Sequence, residues 1–478
     1  MSIKNLISAI RLVLGNRLSR FVINRMVSPC PHGHRSKLEH ALNYVVGEAS
    51  IPLSLCKVEG WALKSLISIM TRMMHVDFEV FRNYAKDPSV RRGLTLVLKG
   101  IAKYGITVPQ KLPAPFLIVW NFTNMCNLKC KHCYQRADRP SPDELTLSEK
   151  MGVVNQLDEA DVAAIAFSGG EPLIHPDFPV VAHEAASRGM YVSVATNGTM
   201  ITRELAGKLK ELGVKYVEVS LDSVNSRRHD NFRGVPGAWE KAVRGIKSCI
   251  EEGLTTGVAM TLTKMNHHEV EDMVDFCEDL GVNRVIFFNF IPTGRGVDIT
   301  DWDLTPEERE EALKTIYKLA RSRKLEVVST APQLARVSLQ ESSGCVVAPT
   351  HFSLAADPGI LALAEFIGGC GAGRIYSAIE PNGDVVPCVF MPIKVGNLKS
   401  ERFEDLWNKS SILLRLRNRE SFEEPCGKCQ YKYVCGGCRA RAYAYTNCIT
   451  GPDPGCINFK LMQGEVDVKR EEYLELSK

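Results

Sequence analysis

The chain has 478 residues, of which 45% are hydrophobic and 24% are charged. This composition is typical of a globular protein with a full interior, and the length predicts two or three domains rather than one. The net charge of +4 is too small to indicate a nucleic-acid partner, and no stretch of the sequence reaches the roughly 18 uninterrupted apolar residues of a transmembrane helix.

The N-terminal segment is basic and amphipathic. Seven lysines and arginines precede the first acidic residue, Glu39, and apolar residues recur among them at three- and four-residue steps. This pattern predicts a helix that contacts a membrane peripherally through residues 1–30, while packing of its apolar face against the protein fits the pattern equally well. An acid-poor, arginine-rich start also resembles an organelle transit peptide.

The pattern between Leu38 and about Tyr104 is helical. A dense apolar group in this region comprises Leu63, Leu66, Ile67, Ile69 and Met70. The preceding segment, residues 30–34, carries metal-capable side chains, but its proline and glycine predict a surface turn. We interpret residues 1–110 as an α-helical extension.

From residue 115 onward, short β-rich runs alternate with helical stretches, as in consecutive βα units. The predicted strands are Phe116–Phe122, Ala164–Phe167, Tyr191–Ala195, Tyr216–Leu221, Gly257–Leu262 and Arg284–Phe290. The predicted helices are Glu149–Asp158, Pro179–Ser187, Arg203–Leu212, Trp239–Glu252 and Val270–Leu280. Six such units predict an α/β fold in which a parallel sheet curves into a partial (β/α)6 TIM-like barrel.

Three cysteines, Cys126, Cys130 and Cys133, follow the first predicted strand. Three thiolates cannot close a tetrahedral metal site, so a cubane 4Fe–4S cluster held by them keeps one iron free to bind a small molecule. Zinc is a poor alternative here because a structural zinc site takes four ligands.

The next three strands also end in polar strings, at the rim where parallel α/β folds bind ligands. After the second strand, Gly169 and Gly170 allow close backbone approach, and Glu171 offers a carboxylate to an ammonium group. Asn197 follows the third strand, and Ser220 and Asp222 lie at the end of the fourth. Such side chains suit ribose hydroxyls, although they also cap helices.

A second cysteine set lies within 87 residues near the C-terminus. It comprises Cys370, Cys388, Cys426, Cys429, Cys435, Cys438 and Cys456. The Asn382-Gly383 turn predicts a hairpin that brings Cys370 and Cys388 together. Zinc is an alternative for this set alone, whereas disulfides are disfavoured because the chain shows no secretory signal and is expected to be cytoplasmic.

The Cys-x3-Cys-x2-Cys string after a first strand resembles the radical S-adenosylmethionine (SAM) superfamily, and the downstream set resembles its SPASM auxiliary-cluster extension. The resemblance covers roughly residues 115–460 and implies SAM and 4Fe–4S clusters as cofactors. It implies that Cys126, Cys130 and Cys133 ligate the SAM-binding cluster. The SAM-binding residues that it implies are Tyr134, Gly169, Gly170, Glu171, Asn197, Ser220, Asp222 and Arg233.

The same resemblance implies two auxiliary clusters. Cys426, Cys429, Cys435 and Cys456 would ligate one of them. Cys370, Cys388 and Cys438 would ligate the other, with a fourth ligand from Cys345 or Cys448, or with one iron left open. The implied domains are the extension, a radical SAM barrel over residues 111–335 and a small cysteine-rich iron–sulfur domain over residues 336–478.

The implied activity is reductive cleavage of SAM to a 5′-deoxyadenosyl radical, which abstracts hydrogen from an unactivated C–H bond. The electron would come from a one-electron donor such as a ferredoxin or flavodoxin. The amphipathic N-terminus favours a membrane-lipid hydrocarbon chain as the substrate, which would be oxidised or coupled. Oxidative decarboxylation of a haem-precursor tetrapyrrole is an alternative, because Pro292-Thr-Gly-Arg-Gly296 resembles a segment of such enzymes.

Two further alternatives remain open at this point. A ribosomal peptide is a common SPASM substrate, but the basic start of this chain does not predict a peptide-binding winged helix. A non-catalytic iron–sulfur electron carrier is disfavoured, since a carrier needs neither an open iron nor Glu171.

Overall fold

The structure is a computed structural model that describes residues 16–28, 36–47, 78–342 and 367–459, together with the single positions 61, 65 and 68. Several features named above lie outside these residues. They are residues 1–15, the predicted turn at 30–34, the apolar group Leu63 to Met70, and Cys345.

The helices of the described residues are Arg17–Met26, Lys37–Val46, Phe78–Ala85, Pro88–Tyr104, Leu147–Glu159, Phe178–Ser187, Arg203–Glu211, Ser226–Arg233, Ala238–Glu251, Val270–Leu280, Pro306–Ser322, Gln333–Glu341, Phe403–Lys409, Ser411–Arg417 and Arg439–Thr446. Short 3-10 helices are Pro172–Ile174, His267–Glu269, Gly294–Trp302 and Arg419–Ser421. The strands are β1 Leu117–Thr123, β2 Ala164–Gly169, β3 Tyr191–Thr196, β4 Val214–Ser220, β5 Thr255–Leu262, β6 Arg284–Asn289, β7 Glu326–Ser329, β8 Tyr376–Ile379, β9 Asp384–Val386 and β10 Gly396–Asn397.

Within the described residues, ten strands form one sheet in the order β10-β9-β8-β1-β2-β3-β4-β5-β6-β7. Strands β1 to β7 are parallel to their neighbours, β8 joins parallel to β1, and β9 and β10 continue antiparallel. The structure confirms the α/β class and the six predicted strands. It adds β7 at one edge of the sheet and, on the other side of β1, the strands β8, β9 and β10, of which β10 forms the edge.

Side chains alternate across β4 and thereby separate the helical layer from the barrel interior. Val217 and Val219 are fully buried in the hydrophobic core. Glu218 and Ser220 point to the opposite face and line the interior cavity. The sheet therefore has one apolar face covered by helices and one face that is available for chemistry.

The core between the sheet and the helices contains an aromatic group from β1 and β2. Trp120, Phe122 and Phe167 are fully buried, and the rings of Phe122 and Phe167 meet edge to face at 5.4 Å. Burial of each such side chain contributes about 1.5–3 kcal/mol. This packing fixes the strand ends from which the cysteine triplet and the Gly-Gly-Glu string emerge.

The helix Arg17–Met26 packs on the protein through one face. Ile23 and Met26 are buried against the Pro88–Tyr104 helix and its surroundings, and Arg20 Nη2 donates to the Ala102 carbonyl at 3.2 Å. Phe21 on the other side is 64% exposed. For this part of the N-terminus, the packing alternative is confirmed. Within the described residues, no helix has the length and hydropathy that crossing a bilayer requires.

The C-terminal region is tied to the barrel. Trp407 Nε1 donates to the Leu112 carbonyl at 3.1 Å, and the Phe403 backbone N–H donates to Gln156 Oε1 at 2.8 Å. The expected boundary between residues 335 and 336 falls inside the helix Gln333–Glu341. The domain limits therefore stay a prediction.

Candidate active site

The three cysteines after β1 lie in a loop, and each sulfur accepts a hydrogen bond from one N–H donor. The Leu128 backbone N–H donates to Cys126 Sγ at 3.5 Å, and the Ala137 N–H donates to Cys133 Sγ at 3.4 Å. Arg233 Nη1 donates to Cys130 Sγ at 3.7 Å. Donors of this kind stabilise negative charge on sulfur and tune an iron–sulfur cluster.

The surroundings of these thiols disfavour their ionisation when no metal is bound. Burial, with the neighbouring Cys130 and Glu171 charges, raises the pKa of Cys126 to about 12. Burial also raises the pKa of Cys130, although Arg233 acts in the opposite direction. A bound metal replaces the thiol protons and removes this penalty. The donor set of three sulfurs and three N–H groups therefore fits an iron–sulfur cluster.

The cluster loop, residues 126–133, is held by the end of the helix Ser226–Arg233. The Lys129 N–H donates to the Arg233 carbonyl at 3.1 Å, and the Lys131 N–H donates to the Phe232 carbonyl at 2.9 Å. Gly234 follows with φ of 74°, and a Cβ there would lie 2.5 Å from the Lys129 oxygen. Only glycine allows this approach.

A second support of the cluster loop comes from the segment after β6. The Arg295 N–H donates to the Cys133 carbonyl, and its Nη2 donates to the Ala137 carbonyl, both at 2.7 Å. A Cβ on Gly294 would lie 2.1 Å from the Tyr134 oxygen. The sequence drew attention to this Gly-Arg pair only through a resemblance. Its contact with the cluster loop spans about 160 positions of sequence, and local patterns carry no signal for it.

Glu171 is fully buried and joins the ends of β2 and β3. It accepts hydrogen bonds from Thr196 Oγ1 and the Asn197 N–H, both at 2.8 Å, and from the Leu173 N–H at 3.2 Å. Burial raises its pKa to about 7, against the effect of these donors. Glu171 does not line the interior cavity, whereas Gly169 and Gly170 do. Its contact with a SAM ammonium group stays a prediction.

Asp222 and Arg233 form a buried ion pair, with Nε 2.6 Å from Oδ2. The Thr261 N–H donates to the other carboxylate oxygen at 2.9 Å. Burial opposes ionisation of Asp222, but Arg233 and the nearby His132 and His229 hold its pKa below the usual value. Arg233 lines the cavity and Asp222 does not. Arg233 is buried rather than a solvent-exposed arginine.

A cavity of about 310 Å³ occupies the barrel interior and extends to the C-terminal cysteines. The predicted site residues on its wall are Cys126, Cys130, Cys133, Tyr134, Gly169, Gly170, Asn197, Ser220, Arg233, Cys370, Cys388 and Cys438. The Tyr134 hydroxyl donates to Asn121 Oδ1 at 3.0 Å, and its ring meets Phe390 edge to face at 5.0 Å. The structure thus places most of the predicted SAM site and one auxiliary cysteine set on a shared cavity.

Cys370, Cys388 and Cys438 belong to one buried cluster. Burial raises the pKa of Cys388 to about 12, and the Tyr376 hydroxyl donates to its Sγ at 3.2 Å. Cys448 does not join this group, because its Sγ donates to Glu423 Oε1 at 3.2 Å. Among the described cysteines, therefore, three face this part of the cavity.

The second downstream group forms around Cys426, Cys435 and Cys456. Burial and the charges of Cys456 and Cys426 raise the pKa of Cys435. The Gly437 N–H donates to Cys435 Sγ at 3.4 Å, and Arg439 Nη2 donates to Cys426 Sγ at 3.7 Å. The Cys429 N–H donates to the Cys426 carbonyl at 3.3 Å, which places Cys429 in the same turn. These sulfurs again have N–H donors suited to a cluster.

Comparison with known proteins shows the family to which the chain belongs. Residues 120–277 match the radical SAM superfamily model, and residues 370–430 match the iron–sulfur cluster-binding domain model of SPASM proteins. The chain is 34% identical to the AdoMet-dependent heme synthase of Methanosarcina barkeri over 72% of this chain and 97% of that protein. It is 29% identical to mycofactocin maturase MftC of Mycolicibacterium smegmatis over 72% of this chain and 83% of that protein.

A solved structure shows the same fold. Streptococcus suis SuiB bound to S-adenosylmethionine aligns with a TM-score of 0.60 over 88% of this chain and 91% of that chain, at 17% identity. The chain belongs to the radical SAM superfamily and carries a SPASM iron–sulfur domain. It is an enzyme with oxidoreductase-type chemistry, and SAM and 4Fe–4S clusters are its cofactors.

Proposed function

We propose that this enzyme oxidatively decarboxylates a propionate side chain of a haem-precursor tetrapyrrole. The observation that carries the proposal is the single cavity bounded by Cys126, Cys130 and Cys133 at one end and by Cys370, Cys388 and Cys438 at the other. A propionate must lose one hydrogen atom, one further electron and CO2 to become a vinyl group. A radical source and an electron acceptor on one cavity suit this sequence of losses.

The lining of the cavity supports a largely apolar substrate. Small side chains on neighbouring strands leave its centre open, including Ala166, Ala195 and Ala259. Tyr134 and Phe390 add aromatic surface. A tetrapyrrole macrocycle suits a pocket with small and aromatic side chains on its wall, where few fixed polar groups orient the ligand.

The relatives favour the tetrapyrrole over the lipid. The heme synthase of Methanosarcina barkeri is matched over nearly its whole length. The segment Pro292–Gly296, which first indicated a tetrapyrrole, supports the cluster loop through Gly294 and Arg295. The main argument for a lipid was the amphipathic N-terminus, and the helix Arg17–Met26 uses one face to pack on the protein. Neither a lipid substrate nor peripheral membrane contact has support from the relatives.

For the site we propose the following roles. Cys126, Cys130 and Cys133 ligate the SAM-binding cluster, and SAM lies against Tyr134, Gly169, Gly170, Asn197, Ser220 and Arg233. Glu171 offers its carboxylate to the SAM ammonium group and positions Asn197, and Asp222 positions Arg233. The chemistry that the cofactors supply is reductive cleavage of SAM to a 5′-deoxyadenosyl radical. The residues of the barrel hold SAM and exclude water. Residues 111–335 and 336–478 remain our proposed catalytic and SPASM domains.

The test is anaerobic incubation of reconstituted, reduced enzyme with SAM and a panel of iron-containing and metal-free tetrapyrroles. We expect 5′-deoxyadenosine and a product that lacks one CO2 and two hydrogens per converted side chain, detected by mass spectrometry. 5′-Deoxyadenosine without change in any tetrapyrrole would reject the substrate assignment. A ribosomal peptide is the alternative substrate, and MftC is named as a mycofactocin maturase, so a short peptide is the comparison substrate.

A further inference from the structure

The outer side of the cluster loop presents two lysines beside its central cysteine. Lys129 is exposed and Lys131 is partly exposed, while Cys130 between them is buried. The backbone of both lysines is bonded to the end of the helix Ser226–Arg233, as described above. The backbone of both lysines is therefore held at a fixed place next to the cluster ligands.

A stack of three aromatic rings connects the cluster loop with the protein surface. His132 lies between Cys130 and Cys133, and its ring stacks on Phe232 at 4.1 Å with an interplanar angle of 14°. Phe232 is fully buried and stacks in turn on Trp302 at 6.0 Å and 16°. Trp302 is partly exposed. Packed side chains thus fill the path between this surface and the cysteines.

Two lysines, Lys131 and Lys264, contact the exposed end of the stack. Lys131 Nζ lies 5.4 Å from the centre of a Trp302 ring, and the Lys264 N–H donates to the Trp302 carbonyl at 2.8 Å. Lys264 is exposed, and its Nζ donates to the carbonyl of Asp301, an exposed acid at the border. We call Lys129, Lys131, Lys264 and Trp302 the Trp302 face.

We propose that the Trp302 face docks the small acidic carrier protein, of the flavodoxin or ferredoxin kind, that delivers electrons to the SAM-binding cluster. One electron leaves the reduced carrier, which is oxidised by one electron, and the cluster is reduced by one; no covalent bond changes. An aromatic centre with charged residues at its rim is a usual composition for a protein interface. The three lysines attract an acidic partner and orient it during encounter.

The proposal concerns electron delivery and does not depend on the substrate. The test is anaerobic stopped-flow mixing of reduced flavodoxin with the reconstituted full-length enzyme, followed by bleaching of the cluster absorbance. Replacement of Lys129, Lys131 and Lys264 by glutamine should lower the bimolecular rate constant about tenfold at low ionic strength and flatten its dependence on salt. The matched control replaces three exposed lysines of the outer helices by glutamine, namely Lys241, Lys247 and Lys318. Flavodoxin should reduce the cluster of this control at the wild-type rate.

A small uncharged reductant separates docking from damage to the cluster loop. Photoreduced deazaflavin should reduce the triple variant and the wild type equally fast. If both reductants are slowed equally, or if flavodoxin reduces the triple variant at the wild-type rate, the proposal is wrong. Hydrogen exchange on the wild type gives an independent readout: flavodoxin should protect residues 127–133 and 262–266 at low salt, and protection elsewhere alone would also overturn it.

Discussion

The guanidinium of Arg233 lies 2.6 Å from the Asp222 carboxylate and also donates to Cys130 Sγ, so one side chain links the end of β4 to the cluster loop. Both members of the pair are buried. The sequence predicted each residue as a separate SAM contact. Their geometry indicates that Asp222 acts on the site through Arg233.

We expect Arg233→Met to destabilise the protein by about 3–5 kcal/mol, because it leaves the Asp222 carboxylate buried without its partner. Asp222→Asn should also destabilise, since it leaves a buried guanidinium uncompensated. The double variant Asp222→Asn/Arg233→Met should cost clearly less than the sum of the two. Urea unfolding of the three variants measures this coupling, and additive effects would show that the two charges do not interact.

The turn after β2 lies against the cluster loop, so we expect it to tolerate no side chain at Gly170. A Cβ there would lie 2.1 Å from the Met125 carbonyl oxygen, which is backbone and cannot rotate away. Gly170→Ala should displace the loop at a cost of about 1–3 kcal/mol and weaken SAM binding roughly tenfold or more. Isothermal titration with SAM on the reconstituted enzyme is the measurement.

Gly152→Ala is the matched control for Gly170→Ala. Gly152 lies in the helix Leu147–Glu159, and a Cβ there would meet no heavy atom within 4 Å. Alanine should raise the stability by about 0.5–1 kcal/mol and leave SAM binding unchanged. Equal SAM affinity in both alanine variants would contradict the close approach at Gly170.

The downstream cysteines should differ sharply in their effect on iron content. Cys388→Ser removes a sulfur from the group that faces the cavity, so we expect loss of the iron and absorbance of one cluster. Cys448→Ser should retain the full iron content, because its sulfur bonds Glu423 away from that group. Iron and sulfide analysis after reconstitution compares the two variants. Iron loss in Cys448→Ser would make Cys448 the fourth ligand.

The fold was predictable where the signal was local. Apolar runs between helical stretches mark β1 to β6. The rule that ligands bind at the carboxyl ends of parallel strands predicted that Cys126, Gly170 and Ser220 share one rim, and all three line the cavity. Strand β7 was missed because its four residues, Glu326–Ser329, are too few for a periodic pattern. The pairing of β8 with β1 was missed because it joins segments about 250 residues apart.

Side-chain roles were less predictable than side-chain positions. The motif of Glu171 predicts a ligand for an ammonium group, and that contact stays a prediction; its hydrogen bonds with Thr196, Asn197 and Leu173 were not predicted. Which donors reach a buried carboxylate depends on how neighbouring strands pack. Spacing along the chain does not encode these long-range contacts.

Glu218 lines the cavity from β4, and the pH dependence of stability should reveal its environment. Burial raises its pKa from 4.5 to about 7, although Arg284 opposes this shift. The folded state therefore holds the proton more tightly than the unfolded state. The contribution of Glu218 to the free energy of unfolding is fully present below about pH 4.5 and is lost as the pH rises through about 7.

Glu218→Gln, which cannot ionise, should melt like the wild type near pH 4.5 and at a higher temperature than the wild type at pH 8. Glu240→Gln at an exposed position is the control and should show no such trend. A melting difference between Glu218→Gln and wild type that stays constant from pH 4.5 to pH 8 would mean that Glu218 titrates alike in both states, and the cavity wall would then be well solvated at β4.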